Sequence, residues 1–381
     1  MFSIMGVQVI SAIYVTYLMK NGLNLLQVNL VNAIFFLTLF ICEIPTGAFA
    51  DIFGRKTSFV VACALMSLGM FVYGSSHTFI GFVCAEVIAA IGATFRTGAF
   101  QAWLVDSLKH RAYEGSYTRI FGRESMFNQI GGGVGAITGS YLATHNPSYP
   151  WFVGGVGMAI VAVVAFITMR EEYFVRGVFS WKKGFTSMKE VAVSSIRYGA
   201  NHKAVRFILI ITFVQIYAVQ AINMYWQPFF RNHGVREAHL GLLFTGMMAF
   251  IALGGFLVSR IKTEGKERSM ILMAMVYVGV IIAMSALSSL VPLAIVLFLL
   301  HEVGRGFWQP MKDSYLQQRI PSHERATITS FCAIAPHIGG AIGLVISGVI
   351  AQAFGITVAW IVGGTVLVCG AFALRKNGSV A

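Results

Sequence analysis

The chain has 381 residues, 57% hydrophobic and 11% charged, with a net charge of +13 and a mean hydropathy of +0.74. A soluble domain carries about 25% charged residues, and no core of this length hides so much apolar surface, so a water-soluble fold is excluded and a bilayer is implied. The apolar runs are continuous and about twenty residues long, not alternating in segments of about ten, which favours helices over a transmembrane β-barrel.

Twelve apolar runs follow in order: 2–19, 25–49, 57–76, 78–106, 124–144, 150–169, 205–230, 238–259, 269–290, 291–313, 324–353 and 356–374. Each can cross about 30 Å of hydrocarbon. The first begins almost at Met1 with no basic stretch before it, so no cleavable signal peptide is read there and the first span is expected to be short. Of the 28 Lys and Arg, only Lys20, Arg231 and Arg236 fall in loops on one side, and Arg96 and Arg305 lie inside runs. This bias predicts an integral protein of the cell (plasma or inner) membrane with both termini cytoplasmic. It also makes the positive charge a juxtamembrane property and argues against nucleic-acid binding.

The one long polar stretch, 170–204, separates six runs from six. Within it Phe185, Met188, Val191 and Ser195 recur at helical spacing, as in an amphipathic helix lying on the membrane surface. The predicted organisation is therefore an N-terminal bundle over 1–169, a linker over 170–204 and a C-terminal bundle over 205–381. The halves echo each other: Asp106-Ser107 closes the fourth run and Asp313-Ser314 the tenth, and Gly-rich stretches recur in the fifth and eleventh. Parallel repeats of six helices are a transporter architecture with the substrate near the bilayer midplane. The fold expected is all-α, with twelve transmembrane helices in two pseudo-symmetric six-helix bundles around a central cavity, the chain acting as a monomer.

Between the second and third runs the chain reads G-A-F-A-D-I-F-G-R-K, Gly47 to Lys56. It resembles the signature G-x-x-x-D-x-x-G-R-[KR] of the major facilitator superfamily. Gly47 is expected to let a neighbouring helix approach, Gly54 to permit a tight turn, and Asp51 to face the positive end of a helix. The resemblance implies that Asp51 meets the eleventh helix and that Arg55 pairs with Asp106, latching the cytoplasmic side. Lys56 reads either as part of that latch or as a positive-inside anchor. The second half has Ser259 where an Asp would be expected, so the latch is read as one-sided. The fifth run has Ala136 where the family's antiporter motif has Pro, a departure from the drug–proton antiporters.

A charge at bilayer depth costs at least about 2.5–3.5 kcal/mol and asks for a reason. The candidates are Glu86 and Arg96 in the fourth run, Glu302 and Arg305 in the tenth, and the shallower Glu43. Glu302 and Arg305 are three apart and can pair. Arg96 reads as a holder of an anionic group or as half of a structural ion pair. Glu86 has no basic residue at helical spacing and is the first candidate for proton coupling, ahead of Glu302 and Glu43, although an outer vestibule would also accommodate it. Gln220, Asn223 and Gln227 share a face of the seventh run, and Gln8, Ser11 and Tyr14 recur at three-residue spacing in the first. Helices 1 and 7 line the cavity in the resembled family, which implies that these residues touch substrate, with His301, Glu302, Arg305 and Arg96. Interhelical hydrogen bonding is the structural alternative.

These readings converge on a secondary active transporter of a small organic solute working by alternating access with protons as the coupling ion. The 31 Phe, 13 Tyr and 6 Trp lean toward efflux of amphipathic compounds over uptake of a metabolite. A transporter-like sensor or receptor is the alternative. A membrane-embedded enzyme is disfavoured: there is no H-E-x-x-H and no G-x-S-x-G, and no Walker A sequence for ATP. Cys42, Cys63, Cys84, Cys332 and Cys369 all lie in apolar runs, so no metal, disulfide framework or cofactor is expected.

Overall fold

The computed structural model describes residues 6–171, 174, 202–320 and 325–376. The amphipathic segment expected around Phe185 to Ser195 lies outside the described residues. Thirteen α-helices follow in order: α1 (Tyr14–Lys20), α2 (Leu25–Phe53), α3 (Arg55–Ser75), α4 (Phe79–Arg96), α5 (Ala99–His110), α6 (Tyr117–His145), α7 (Tyr149–Thr168), α8 (Lys203–Asn232), α9 (Leu240–Ser259), α10 (Glu267–Leu287), α11 (Val291–Gln317), α12 (Arg325–Phe354) and α13 (Ile356–Lys376), with a 3₁₀ turn at Glu237–His239.

Ten helical stretches among the described residues are long and apolar enough to cross a membrane. Two of the twelve predicted runs fall short for different reasons. The first is interrupted: residues 9–13 form turns, with Ser11 N–H donating to the Gln8 carbonyl at 3.1 Å and Ile13 N–H to Ile10 at 3.0 Å, so only the seven residues of α1 continue. The fifth, α6, has the length, but Arg119, Arg123, Glu124 and its glycines dilute its hydropathy. The run 78–106 also differs from expectation. It is two helices, because Gly98 takes the left-handed conformation at φ 71°. Arg96, expected near mid-helix, is instead the last residue of α4.

Two compact units divide the chain: Met1–Leu23, Ile34–Met188 and Arg236–Phe244 form one, and Asn24–Ala33, Lys189–Val235 and Thr245–Ala381 the other. In the first unit α3 packs on α4 and α7. Its core is an aromatic cluster in which Tyr73 stacks on Trp151 with centroids 4.2 Å apart, flanked by Tyr17 and Phe82. In the second, α10 packs on α11 and α13, and α8 on α12 and α13. There Trp360 stacks on Phe229 at 4.4 Å and on Phe298 at 5.7 Å. Its indole N–H donates to the Ala221 carbonyl at 3.1 Å. The side chains left outside on the spans are apolar, Ile80 being 72% exposed and Ile167 69%, as lipid-facing surfaces require.

Candidate functional site

The motif loop is built around Gly54. Its φ of 96° and ψ of 154° lie in a region open in practice to glycine alone. A Cβ there would run into the Glu171 carboxylate. That carboxylate is seated under the turn, where its Oε1 accepts the Arg55 backbone N–H at 2.8 Å. The Arg55 guanidinium pairs with Asp51 at 3.1 Å, four residues back. Asp106, half-buried on α5, makes no ion pair with it among the described residues. In this structure the ion pair of Arg55 is thus the local one with Asp51. Asp51 keeps 66% of its side chain exposed. Gly47 is exposed, and among the described residues no atom of its own unit comes within 4 Å of a Cβ built there. Lys56 lies over the Phe166 ring, 5.2 Å from its centroid.

The second unit also has a positive-φ glycine just before a helix, with a different contact. Gly265, at φ 73°, precedes α10, and its N–H donates to Glu267 Oε1 at 3.3 Å. Glu267 is fully buried, takes a hydrogen bond from Gln318 Nε2 at 3.1 Å and faces Arg319 at 3.8 Å. Glu267 follows its glycine whereas the motif acid Asp51 precedes Gly54, so it does not stand in for the acid that Ser259 replaces. Glu171 was not read from the sequence. Its only sequence signal is the acidic pair that follows Arg170 at the end of the sixth run.

Polar groups inside the spans gather in two places. On α11, Glu302 is fully buried. Its Oε1 is 2.9 Å from Arg305 and 3.5 Å from His301 Nε2, while its Oε2 has no hydrogen-bond partner. The His301 ring is held at Nδ1 by the Phe298 carbonyl. In the same unit α8 carries Gln220 and Gln227, both 2% exposed, and half-buried Asn223, whose Nδ2 reaches Gln220 Oε1 at 3.5 Å. Gln215, also on α8, has both amide atoms buried and unsatisfied, and Gln220 Nε2 is unsatisfied too. Gln309 instead bonds exposed Asp313 at 2.9 Å.

The second place is in the first unit. Glu86 is 5% exposed on α4. It accepts a short hydrogen bond from the Tyr73 hydroxyl, and the Tyr14 hydroxyl stands 3.5 Å from its other oxygen. Tyr14, predicted for the cavity, thus joins the residue predicted for coupling. Ser11 Oγ donates to Gln8 Oε1 within the interrupted first run. Arg96, half-buried, has a buried Nε without a hydrogen-bond partner. Glu43 is half-buried on α2. No group of three or more His, Cys, Asp or Glu among the described residues is arranged to hold a metal.

Bundled apolar spans, a glycine turn closed over a carboxylate at the motif loop, and buried charges inside the spans mark an integral membrane protein. The sequence profile of the Major Facilitator Superfamily matches residues 1–331 and again 208–378; the chain belongs to that superfamily. It is 26% identical over 374 residues to YxaM of Bacillus subtilis (strain 168), an uncharacterized MFS-type transporter, covering 93% of this chain and 88% of that one. It is 23% identical to MJ1560 of Methanocaldococcus jannaschii, of the same description, over 93% and 89%. Among solved structures, the nucleoside transporter NupG superposes with a TM-score of 0.83 at 13% identity, over 100% of this chain and 98% of that one. A bacterial homologue of the human lysosomal transporter Spinster superposes at 0.73 and 16%, over 98% and 92%. The fold is that of twelve-helix transporters of this superfamily.

Proposed function

We propose that this transporter moves a small organic solute by alternating access of the bundles at 1–169 and 205–381, is coupled to protons and serves efflux of amphipathic compounds. The observation that carries the reading is the set of buried polar atoms on α8 and α11 without a hydrogen-bond partner: both amide atoms of Gln215, Gln220 Nε2 and Glu302 Oε2. Leaving such atoms unmet is costly, and native proteins rarely tolerate several of them. A polar solute or the water of a hydrated cavity meets that demand. Gln220, Asn223, Gln227, His301, Glu302 and Arg305 then supply amide and charged contacts. In the other unit, Arg96 and the interrupted first run with Gln8, Ser11 and Tyr14 are proposed solute contacts too, as discontinuous helices are in other transporters.

In this proposal Asp51, Gly54, Arg55, Lys56 and Asp106 gate the passage and do not bind solute. Glu86 is the coupling carboxylate, with Glu302 and Glu43 behind it. The protein works as a monomer in the plasma or inner membrane with both termini cytoplasmic. Reconstitution into proteoliposomes with a panel of solutes, with and without an imposed pH gradient, tests the whole. Accumulation of an amphipathic solute only under the gradient is the expected result. Solute movement indifferent to the gradient would remove the coupling, and no movement of any solute would remove the carrier reading of the cavity.

A further inference from the structure

Beside the Gly265 turn, and away from the residues proposed above to gate or to bind solute, α10 and α13 pack together and leave between them a groove of about 830 Å³. They cross where Gly279 meets Gly364; a Cβ on either glycine would come within 2.5 Å of the other's carbonyl oxygen. Arg268 stands eleven residues before Gly279, and Arg375 eleven residues after Gly364. Eleven residues are about three helical turns, so each arginine returns to the face that carries its glycine, about 16 Å along the axis. The helices run antiparallel, since Arg268 Nη2 donates to the Leu374 carbonyl at 2.8 Å. The two displacements therefore point the same way, and both guanidiniums line one mouth of the groove.

From that mouth to just past the crossing the walls are mainly apolar, formed by Leu272, Val276, Val280 and Phe372, with the Tyr277 hydroxyl turned to the Leu300 carbonyl at 2.9 Å. The distance matches the hydrocarbon depth of one leaflet, about 15 Å. At the mouth, Arg268 is fixed by its bond to Leu374 and by lying over the Phe207 ring at 4.9 Å. Arg375 is exposed and makes no hydrogen bond or ion pair among the described residues. The nearest acid in sequence to Arg268, Glu267, is buried and directed to Gln318 and Arg319, so it does not neutralise the mouth. Two cations at the polar boundary above an apolar slot one leaflet deep have the form of a phospholipid: a phosphate at the top and an acyl chain below.

We infer that this groove is a specific site for one anionic phospholipid, with its phosphate on Arg268 and Arg375 and one acyl chain lying along α10 toward the Gly279–Gly364 crossing. Basic pockets between transmembrane helices take anionic headgroups for the same electrostatic reason. A zwitterionic lipid offers a quaternary ammonium that the two guanidiniums repel, and a headgroup without chains leaves the apolar walls uncovered.

Native mass spectrometry of the delipidated full-length chain, titrated separately with phosphatidylglycerol, phosphatidylcholine and glycerol phosphate, tests this. One phosphatidylglycerol is expected to be retained at concentrations where the other two are not. Arg375→Gln should weaken that retention about fivefold, the worth of one basic residue at an anionic headgroup. Val280→Trp, which fills the slot while keeping both arginines, should weaken it at least as much. Thermal unfolding of each variant serves as the check on folding. Equal retention of phosphatidylcholine, retention of glycerol phosphate as strong as that of the lipid, or wild-type retention by both variants would overturn the site. A dimer that forms in place of lipid binding would overturn it too, by assigning the groove to a second copy of the chain.

Discussion

Gly54→Ala probes the motif loop most directly. At φ 96° and ψ 154° an alanine carries backbone strain of about 1–3 kcal/mol. Its Cβ also displaces the Glu171 carboxylate from the Arg55 N–H that it accepts at 2.8 Å, and a hydrogen bond to a charged group is worth about 1.5–3 kcal/mol. The two costs together come to about 2.5–6 kcal/mol. At roughly 2–4 °C per kcal/mol for a unit of this size, Tm should fall by about 5–24 °C. Glu171→Ala removes the hydrogen bond alone and should cost about half as much. In that background Gly54→Ala retains only the strain, so the double variant should be less destabilised than the sum of the singles by the worth of the bond. Tryptophan fluorescence during thermal unfolding in detergent reads all four proteins. Additive effects, or a fall of less than about 2 °C for Gly54→Ala, would show that Glu171 is not seated against the turn in the folded protein.

Asp51→Asn should cut transport in proteoliposomes strongly while leaving solute affinity in detergent close to wild type; equal losses of both would place Asp51 in binding and not in gating. Arg305→Ala leaves the buried Glu302 charge unpaired and should destabilise the protein by about 3–5 kcal/mol, whereas Glu302→Gln with Arg305→Gln should cost much less. Comparison of their unfolding temperatures checks this, and equal losses would deny the pair its burial. Glu86→Gln should abolish accumulation driven by a pH gradient and retain downhill exchange of solute. Near wild-type accumulation in that variant would move coupling to Glu302, to Glu43 or away from protons.

The number and order of the spans were legible because lipid acts on whole segments: twenty apolar residues read the same wherever their neighbours are. Breaks inside spans were less legible. Gly98 ends α4 through one left-handed residue, and one glycine in a Gly-rich membrane sequence carries no distinguishing signal. The interruption at residues 9–13 lies among Val9, Ile10, Ser11 and Ile13, whose composition does not separate turn from helix. The Glu302–Arg305 pair was readable because its members are three apart on one helix. Tyr73 was not read as a partner of Glu86, nor Arg319 of Glu267, because thirteen and fifty-two residues separate them and no local period relates them. The same limit hid Glu171: the sequence announces a tight turn at Gly54 but not which carboxylate fills the space that glycine leaves open.

The aromatic clusters of the two units bear on why Glu86 is where it is. Both units seat a tryptophan, Trp151 or Trp360, from the start of a helix against rings from neighbouring helices. In the second unit the rings are those of Phe229, Phe230 and Phe298. Among the described residues no hydroxyl is part of that ring cluster, and the polar neighbour is His301 against Phe298 at 4.9 Å. In the first unit the cluster includes Tyr73 and Tyr14, and their hydroxyls point at a carboxylate that is 5% exposed. A charge at such depth costs at least about 2.5–3.5 kcal/mol, which packing does not explain. Glu302 meets a similar cost through Arg305, whose fixed charge would be left unpaired if Glu302 took a proton. A hydroxyl donates to a carboxylate and accepts from a carboxylic acid, so the tyrosines serve Glu86 in either form. Unlike Glu302, then, Glu86 has hydroxyl partners that fit both its ionised and its protonated form. A proton bound more tightly in one conformation than in the other is what links a gradient to a conformational cycle.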